Sequence, residues 1–391
     1  MKVLKFGGTS MGTAESMKKV IRIIIDSKGV EQQIGIVVSA LSGVTDKLLL
    51  LSETLISENV DHREIIKDLK ERHISLLMNL LRKKDEQTTT GIIKLFGELE
   101  IIMERSISNE KMSRKISDLI LSFGERLSAY ILTQSLKELR QEVFLVDARE
   151  YIITNNDFSS AKVDFARTNK NIQRLFEKNI GIAVITGFIG STIDGETTTL
   201  GRGGSDYTAS IFAAAIQADQ IELWKEVDGI MTMDPKKNPK AFSITSLSFE
   251  EAETLSRFGA KVIYPPTIQP AIEKNIPIII KNTFNPSFPG TIISVKDPKK
   301  GSIKCITSVD DATTIGHIKG GANNMSLITM VGSGIHKSRN ILDQINKVLS
   351  EKNIHHTSLL NKVSQNCFIS ILVQKTHLLL TINTLHNSFF E

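Results

Sequence analysis

Short apolar segments alternate with amphipathic ones along the first half of the chain. The segment from Val3 to Phe6 has the length and composition of a strand, the segment from about Ala14 to Ser27 has a helical period, and Ile34 to Ser39 again resembles a strand. Strands that are joined through helices run parallel in one sheet, and the helices then cover both of its faces. The pattern predicts an α/β fold with three layers, αβα, around a mainly parallel sheet.

One long region interrupts this alternation. From about Asp61 to Lys137 the apolar residues recur only at helical spacing, so we expect helices packed over one edge of the sheet. The alternation then returns. Strands are predicted at Val143 to Val146, Ile182 to Thr186, Gln220 to Trp224 and Pro277 to Lys281, and helices from Tyr207 and around Thr267 to Glu273.

The composition changes after the Lys-rich stretch from Lys296 to Lys304, where we predict a domain boundary: a first domain at 1–295 and a second at 303–391. The second domain has the order βαββα of a ferredoxin-like unit. Its elements are Leu327 to Val331, Lys337 to Ser350, Ile354 to Leu360, Cys367 to Val373 and Thr376 to Phe389. The expected closing strand is missing, so the domain looks incomplete. Either Lys304 to Ile318 or a second subunit would have to cover the sheet edge.

Composition excludes several classes of protein. The 391 residues are 41% hydrophobic, which suffices for two domains, and the 48 basic and 43 acidic residues form no long single-sign tract of the kind that binds nucleic acid. Cys305 and Cys367 lie far apart without metal-ligand spacing, so buried reduced thiols are expected. No export signal or apolar run of membrane-spanning length is visible. We therefore expect a soluble cytoplasmic protein.

The segment KFGGTS, from Lys5 to Ser10, follows a predicted strand and opens a predicted helix. Backbone amides at such a turn can hold phosphate, and Gly7 and Gly8 allow close approach of the backbone. Lys5 would add a positive charge for the transferring group. The alternative is an ordinary Gly-Gly turn, since the segment does not have the Walker P-loop pattern.

A second candidate anion site is GRGGSD, from Gly201 to Asp206. Arg202 offers a fork for a carboxylate, Ser205 a hydroxyl, and Asp206 a charge suited to a substrate ammonium group or to magnesium. A Gly-rich turn with Asp206 capping the next helix is the alternative. Two anion sites in one chain suit a transfer between two substrates.

Other polar residues lie in or after these predicted elements. Glu125 could pair with a substrate amine or form a surface salt bridge. Ser39 and Thr45 follow the second strand, where parallel sheets bind ligands, although helix capping would explain them too. Three charged residues could contact a bound nucleotide or could simply lie in solvent-exposed loops: Lys225, Glu226 and Lys261.

Taken jointly, these motifs resemble the aspartate kinases of the amino-acid kinase family, including the kinase part of bifunctional aspartokinase/homoserine dehydrogenases. The matching segments span nearly the whole chain, and their order and spacing also fit this family. Its segments are KFGGTS at Lys5, VVSALSGVT at Val37, SFGERLSAY at Ser122, TTTLGRGGSDYTA at Thr197, EVDGIMTMDP at Glu226, FGAKVIYPPT at Phe258 and IPIIIKNTFNPSFPGT at Ile276.

The resemblance implies a reaction and a site. ATP and L-aspartate would give ADP and 4-phospho-L-aspartate, the first step of lysine, threonine and methionine biosynthesis. Lys5 and Asp206 would be catalytic, and Mg²⁺ would bind through the ATP phosphates. ATP would contact Lys5, Gly7, Gly8, Thr9, Lys225, Glu226, Met231, Lys236 and Lys261; aspartate would contact Ser39, Thr45, Glu125, Arg202 and Ser205.

Within this assignment, Glu125 would bind the α-amine of aspartate and Arg202 the α-carboxylate. On the adenosine side the chain departs from many relatives, which carry Thr-Asp at positions 225 and 226, an aromatic residue at position 231 and Arg at position 236. A carboxylate nucleophile is already ionised at neutral pH and needs no general base, so no catalytic His is expected.

The C-terminal unit resembles an ACT domain, which in this family binds end-product amino acids. Val331 to Ile335 would then be the ligand loop for lysine or threonine, and the unit would mediate homo-oligomerisation; a Gly turn needed only for packing is the alternative. The chain could be part of a longer enzyme or a natural short form. The competing functions are a kinase of the same fold for another acid, such as glutamate or acetylglutamate, and a non-catalytic amino-acid sensor.

Overall fold

The computed structural model describes residues 1–29, 31–54, 61–82, 86–108, 113–260, 263–295, 301–314, 324–359 and 367–391. They divide into two compact units. The first unit comprises residues 1–227 and 266–288, and the second comprises residues 228–265 and 289–391. Residues 228–265 thus group with the C-terminal segment, whereas the sequence placed its boundary between 295 and 303. That domain boundary stays a prediction.

The strands are numbered in chain order. They are β1 (Lys2–Phe6), β2 (Gln33–Val38), β3 (Val143–Val146), β4 (Ile153–Thr154), β5 (Gly181–Thr186), β6 (Ile189–Thr192), β7 (Thr197–Thr199), β8 (Gln220–Lys225), β9 (Ser246–Ser248), β10 (Ile278–Asn282), β11 (Thr291–Ser294), β12 (Cys305–Val309), β13 (Met325–Val331), β14 (His356–Leu359) and β15 (Phe368–Gln374).

The helices are numbered in the same way. They are α1 (Gly8–Met11), α2 (Ala14–Lys28), α3 (Val44–Thr54), α4 (His62–Leu80), α5 (Glu86–Ser108), α6 (Arg114–Leu121), α7 (Phe123–Glu138), α8 (Phe165–Lys178), α9 (Gly204–Ala215), α10 (Phe249–Arg257), α11 (Pro265–Glu273), α12 (Arg339–Glu351) and α13 (Leu378–Phe390).

The first unit is built on a parallel sheet in the order β3-β5-β2-β1-β8-β10. Alternate residues of β1 point to opposite faces. Leu4 and Phe6 join a core with residues of α2, α4, α5 and α7, while α9 packs on β1 and β2. The Phe6 ring stacks on Trp224 of β8 at 5.9 Å. This confirms the predicted three-layer fold with its parallel sheet.

Because these strands are parallel, their carboxyl ends lie at the same edge of the sheet. At this edge β1 is followed by Gly7, β2 by Ser39, β5 by Gly187 and β8 by Glu226. The strands β4, β6 and β7 form a separate, smaller sheet in the same unit. The singled-out segments that follow β1, β2 and β8 therefore lie at one edge of the sheet.

The second unit contains an antiparallel sheet in the order β12-β13-β15-β14. Residues of α12 and α13 share an apolar core with β13 and β15, which confirms the ferredoxin-like arrangement. β12 pairs with β13 from Cys305 opposite Val331 to Val309 opposite Leu327. The sheet edge left open by the predicted order is thus covered by the segment beginning at Lys304, and residues 315–318 of that prediction lie outside the described part of the chain.

A buried ion pair holds this second unit together. Lys304 Nζ lies 2.9 Å from Glu251 Oε2, and the two side chains are only 6% and 0% exposed. Glu251 Oε1 also accepts hydrogen bonds from the amide and hydroxyl of Ser333, at 2.7 and 2.9 Å. The carboxylate therefore links α10 to β12 and to the loop after β13.

Replacement of Lys304 by Met should destabilise the protein strongly, by about 3–5 kcal/mol, because it leaves Glu251 as an uncompensated buried charge. Urea unfolding followed by circular dichroism measures the effect. The matched control is Lys237→Met, which breaks the 2.6 Å pair with the exposed Asp310 and should cost no more than about 1 kcal/mol. Equal effects of the two substitutions would contradict the prediction.

The fold also buries a histidine in its neutral form. His73 of α4 is fully buried, its Nδ1–H donates to Leu69 O at 2.6 Å, and its ring lies edge-on to Phe96 at 5.7 Å. Burial lowers the pKa of His73 to about 4, and the hydrogen bond to Leu69 only partly opposes this. The imidazole therefore takes up a proton more readily in the unfolded chain.

Stability should consequently fall as the pH falls from about 6.5 towards 4, because the unfolded chain then binds the additional proton. Between pH 7.5 and pH 5 this residue alone should account for about 2 kcal/mol of the loss. Urea unfolding at both pH values, with wild type and His73→Leu, tests this. The variant should lose less stability than wild type on acidification, and identical losses would show that His73 is not the cause.

Candidate active site

Three charged side chains meet at the carboxyl edge of the sheet in the first unit. Lys5 is the second-last residue of β1, Lys225 is the last residue of the adjacent β8, and Asp206 lies in the first turn of α9. Lys5 Nζ is 2.7 Å from Asp206 Oδ1, and Lys225 Nζ is 3.5 Å from Asp206 Oδ2. The Asp206 carboxylate thus contacts the ammonium groups of two lysines that come from neighbouring strands.

The charge state of this cluster follows from its surroundings. Burial acts to raise the pKa of Asp206, but the charges of Lys225 and Lys5 outweigh it and hold the pKa of this carboxyl well below its usual range. Asp206 is therefore ionised at neutral pH, and the three side chains together carry one net positive charge. Such a cluster attracts an anion to the end of β1.

The backbone that follows β1 lies against the backbone that follows β2. The amide of Ser42 donates to Gly8 O at 3.1 Å, and the amide of Ser39 donates to Phe6 O at the same distance. A Cβ atom at Gly8 would lie 3.1 Å from Ala40 O, so a larger residue would push the two backbones apart by a few tenths of an ångström. The first amides of α1 have no acceptor within the helix, which makes the turn able to bind an anion.

Glu125, in the first turn of α7, places a buried carboxylate at the same edge. Its Oε1 accepts from the amide of Ala40 at 3.1 Å, whereas its Oε2 has no hydrogen-bond partner among the described residues. Burial raises the pKa of Glu125 to about 8, and the amide of Ala40 and the charge of Lys5 lower it only in part. A buried carboxylate oxygen without a partner is costly and suits a cationic ligand group.

The loop before α9 presents the second predicted anion site. Gly201 and Gly203 adopt φ of +74° and +71°, which favours glycine at both positions. Arg202 between them is exposed to solvent. Ser205 is buried against Gly187, where a Cβ would lie 2.7 Å from the serine Cβ. The loop thus places an arginine at the surface, and the first turn of α9 places a serine beside the end of β5.

The remaining predicted site residues are distributed as follows. Thr45 is half-buried in the first turn of α3, Thr9 is exposed in α1, and Glu226 is exposed after β8. Met231 and Lys236 belong to the second unit. Lys261 lies outside the described residues. The structure therefore groups Lys5, Asp206 and Lys225 in one cluster, with Glu125 close enough for the charge of Lys5 to affect its pKa. The contacts with aspartate and ATP stay predictions.

Two hydroxyl residues inside the motifs have contacts that the sequence does not reveal. The hydroxyl of Ser128 donates to Ser39 O at 2.7 Å, and Thr208 Oγ1 donates to Gly204 O and accepts from the amide of Phe188, both at 3.0 Å. These bonds fix the segments after β2 and β5. Their only sequence signal is a small hydroxyl residue inside each motif.

A direct metal site is not formed by the protein side chains that the structure describes. Among these residues, no three His, Cys, Asp or Glu side chains come together as a possible metal site. In the same part of the chain, no helix is long and apolar enough to cross a membrane.

The fold and this site define a class of protein. Residues 1–282 match the sequence model of the Amino acid kinase family. The chain belongs to this family.

Its relatives include aspartokinases in particular. The chain is 28% identical over 463 residues to the bifunctional aspartokinase/homoserine dehydrogenase of Buchnera aphidicola subsp. Acyrthosiphon pisum (strain APS), an alignment that covers 100% of this chain and 56% of the relative. It is 34% identical over 322 residues to the chloroplastic aspartokinase 1 of Arabidopsis thaliana, covering 80% of this chain and 55% of that protein. The chain thus spans about half the length of these relatives.

Solved structures share the fold. Aspartokinase III of E. coli in complex with aspartate and ADP, called the R-state, superposes with a TM-score of 0.81 at 23% identity, over 100% of both chains. The same enzyme in complex with lysine and aspartate, called the T-state, gives a TM-score of 0.80 at 23% identity, again over 100% of both.

Proposed function

We propose that the protein is an aspartate kinase, which transfers the γ-phosphoryl group of ATP to the side-chain carboxylate of L-aspartate. The observation that carries the proposal is the buried Glu125 carboxylate, with one oxygen unpartnered among the described residues, at the same sheet edge as the Lys5–Asp206–Lys225 cluster. An amino acid supplies the ammonium group that Glu125 lacks, and ATP supplies the anion that the lysines attract. The aspartokinase relatives support the same reaction.

The chemistry requires little proton transfer. A carboxylate oxygen of aspartate forms a bond to the γ-phosphorus, the bond from that phosphorus to the β–γ bridging oxygen breaks, and ADP leaves. Both reactants are anions, so the protein must neutralise charge and hold them in line. Lys5 would stabilise the transferring group, and Asp206, which contacts both lysines, would orient Lys5 and Lys225.

The residues present fit ATP with a magnesium ion held by its phosphates. The Gly7-Gly8 turn and Lys5 would hold the phosphates, and Mg²⁺ would neutralise their charge when bound. Asp206 is the one residue of the cluster with oxygen ligands, and both of its oxygens already face lysines. This supports a metal carried by the nucleotide. Arg202 and Ser205 would bind the aspartate α-carboxylate and side chain.

Regulation by an end-product amino acid and assembly into a homo-oligomer through the second unit belong to the same proposal. E. coli aspartokinase III, whose fold this chain shares, is described in complex with lysine. In this chain a Cβ at Gly332 would lie 2.1 Å from Ser302 O, so packing alone already requires glycine in the predicted ligand loop. Lysine or threonine is the effector to test.

The proposed activity is tested by trapping the acyl phosphate with hydroxylamine. The protein is incubated with ATP and Mg²⁺ and with aspartate, glutamate or acetylglutamate, each with and without lysine or threonine. We expect the acyl phosphate to form with aspartate and not with glutamate or acetylglutamate. Product from another acid would identify a different substrate on the same fold, and ATP binding without any product would favour a sensor. Omission of Mg²⁺ serves as the control for the metal, and inhibition by one amino acid would identify the effector.

A further inference from the structure

A buried carboxylate outside the reacting groups holds the loop that carries Arg202. Asp118 of α6 is fully buried. Its Oδ2 accepts from the amides of Ser159 and Thr199, both at 2.8 Å, and its Oδ1 accepts from the Thr199 hydroxyl at 2.9 Å. Each of the three bonds joins α6 to a segment at least 41 residues away in the chain.

Of the two segments that Asp118 joins, one contains an unfavourable backbone conformation and the other leads into a left-handed glycine. Ser159 adopts φ of +75°, which is uncommon for a residue other than glycine and strains the backbone. Gly201 adopts φ of +74°, and a Cβ there would lie 3.1 Å from Ser160 Oγ. The amide of Ala161 donates to Thr199 O at 2.9 Å. A left-handed residue other than glycine persists only where surrounding contacts determine it, and Asp118 supplies one such contact at the Ser159 amide and two more at Thr199.

The same helix reaches the other segments of the aspartate site. Ser117, the neighbour of Asp118, shares a hydrogen bond of 3.1 Å with Ser52 of α3, the helix that carries Thr45. The amide of Ser122 donates to Asp118 O at 3.0 Å, and α7 begins at the next residue, two positions before Glu125. α6 therefore connects the three segments predicted to contact aspartate.

We propose that Asp118 is a positioning residue that sets the Arg202 loop relative to Glu125 and Thr45, so that aspartate is bound in the reactive orientation. Asp118 itself touches neither substrate. The proposal rests on the proposed aspartate kinase function and adds to it a residue that acts through Thr199 and Arg202. Loss of Asp118 should weaken aspartate binding and leave ATP binding unchanged, because the loop lies on the aspartate side.

The chemistry of the three bonds suggests a conservative variant. All three partners donate to Asp118, and an amide oxygen can still accept from the two backbone amides. The amide nitrogen of Asp118→Asn would then face the Thr199 hydroxyl, which can also accept. Asp118→Ala removes all three bonds. Asp194→Asn, at an exposed residue between β6 and β7, is the matched control.

The test measures steady-state kinetics with aspartate, ATP binding by calorimetry, and amide hydrogen exchange of the peptide containing Thr199. Asp118→Ala should raise KM for aspartate at least tenfold, keep the Kd of ATP within twofold, and speed exchange at Thr199. Asp118→Asn should stay within about threefold of wild type in every measurement. Asp194→Asn should match wild type.

Several results would overturn the proposal. One is an unchanged KM for aspartate in Asp118→Ala; another is an equal loss of ATP affinity with faster exchange throughout the first unit, which would show a general structural role. If the peptide containing Thr199 exchanged its amide hydrogens as slowly in Asp118→Ala as in wild type, Asp118 would not position this segment. A wild-type protein that forms no acyl phosphate would instead overturn the proposed function and the substrate role with it, and the exchange data separate the two failures.

Discussion

Replacement of Lys5 by Ala should lower kcat for acyl phosphate formation by on the order of a thousandfold, because it removes the cation placed to stabilise the transferring phosphoryl group. Aspartate should still bind, since its predicted contacts come from the segment after β2, from α3 and α7, and from the loop before α9 and the first turn of that helix. The measurement is hydroxylamine trapping under saturating ATP and aspartate. It is paired with calorimetric titration of aspartate.

The structure supplies two controls for this prediction. Lys2→Ala removes a lysine from the same strand, β1, at the end away from the cluster, and should leave kcat within about twofold to threefold of wild type. Lys5→Arg keeps the charge but changes its shape, and should recover part of the lost rate. Circular dichroism must show that Lys5→Ala is folded, because Asp206 then keeps only Lys225. Near-normal turnover in the folded variant would remove Lys5 from the catalytic role.

The central fold was predictable because its strands are apolar and its helices are amphipathic. Short, mainly apolar segments are typical of buried strands in a parallel sheet. Two such segments, Val3 to Phe6 and Gln220 to Trp224, form β1 and β8 of that sheet. The small sheet was not predicted, because Thr197–Thr199 is polar and resembles a loop. These threonines are buried only because distant partners satisfy them: Thr198 shares a hydrogen bond with Thr154 at 2.8 Å, and Thr199 bonds to Asp118.

The starts of two helices depend on single residues. α10 begins with a capping box in which Ser248 and Glu251 exchange hydrogen bonds, a pattern visible in the sequence as Ser-Phe-Glu-Glu. α9 was predicted from Tyr207 but begins at Gly204, because the left-handed Gly203 precedes its first turn. The apolar period locates only the interior of a helix, so the boundary at α9 was missed by a few residues.

The residue types of the candidate site could be predicted, but the way they interact could not. Asp206 was assigned as a partner for substrate or metal, yet both lysines of adjacent strands face it. Lys225 was placed on the adenosine side, and its distance of 3.5 Å from Asp206 follows only from the pairing of β1 with β8. Sequence spacing carries no information on this contact, because Lys5 and Lys225 are brought together by the strand order.

Replacement of Glu125 by Gln should weaken aspartate binding by about a hundredfold, because the buried carboxylate is the predicted partner of the α-ammonium group. Gln can keep the hydrogen bond to the amide of Ala40 through its Oε1, so the local fold should be preserved. ATP binding should be unchanged. Glu138→Gln, at the other end of α7, is the matched control and should bind aspartate as wild type does.

The pH dependence distinguishes this role of Glu125 from a merely structural one. The pKa of Glu125 is raised to about 8 without substrate, so at pH 7 most of the protein carries a proton there that the ammonium group of aspartate must displace. Wild-type affinity for aspartate should therefore rise up to about tenfold per pH unit below about pH 8 and then level off. Calorimetry in buffers of different ionisation enthalpy should show release of this proton at pH 7. Glu125→Gln should show neither the slope nor the proton release, because an amide does not titrate; a slope that survives in the variant would assign the proton to another group.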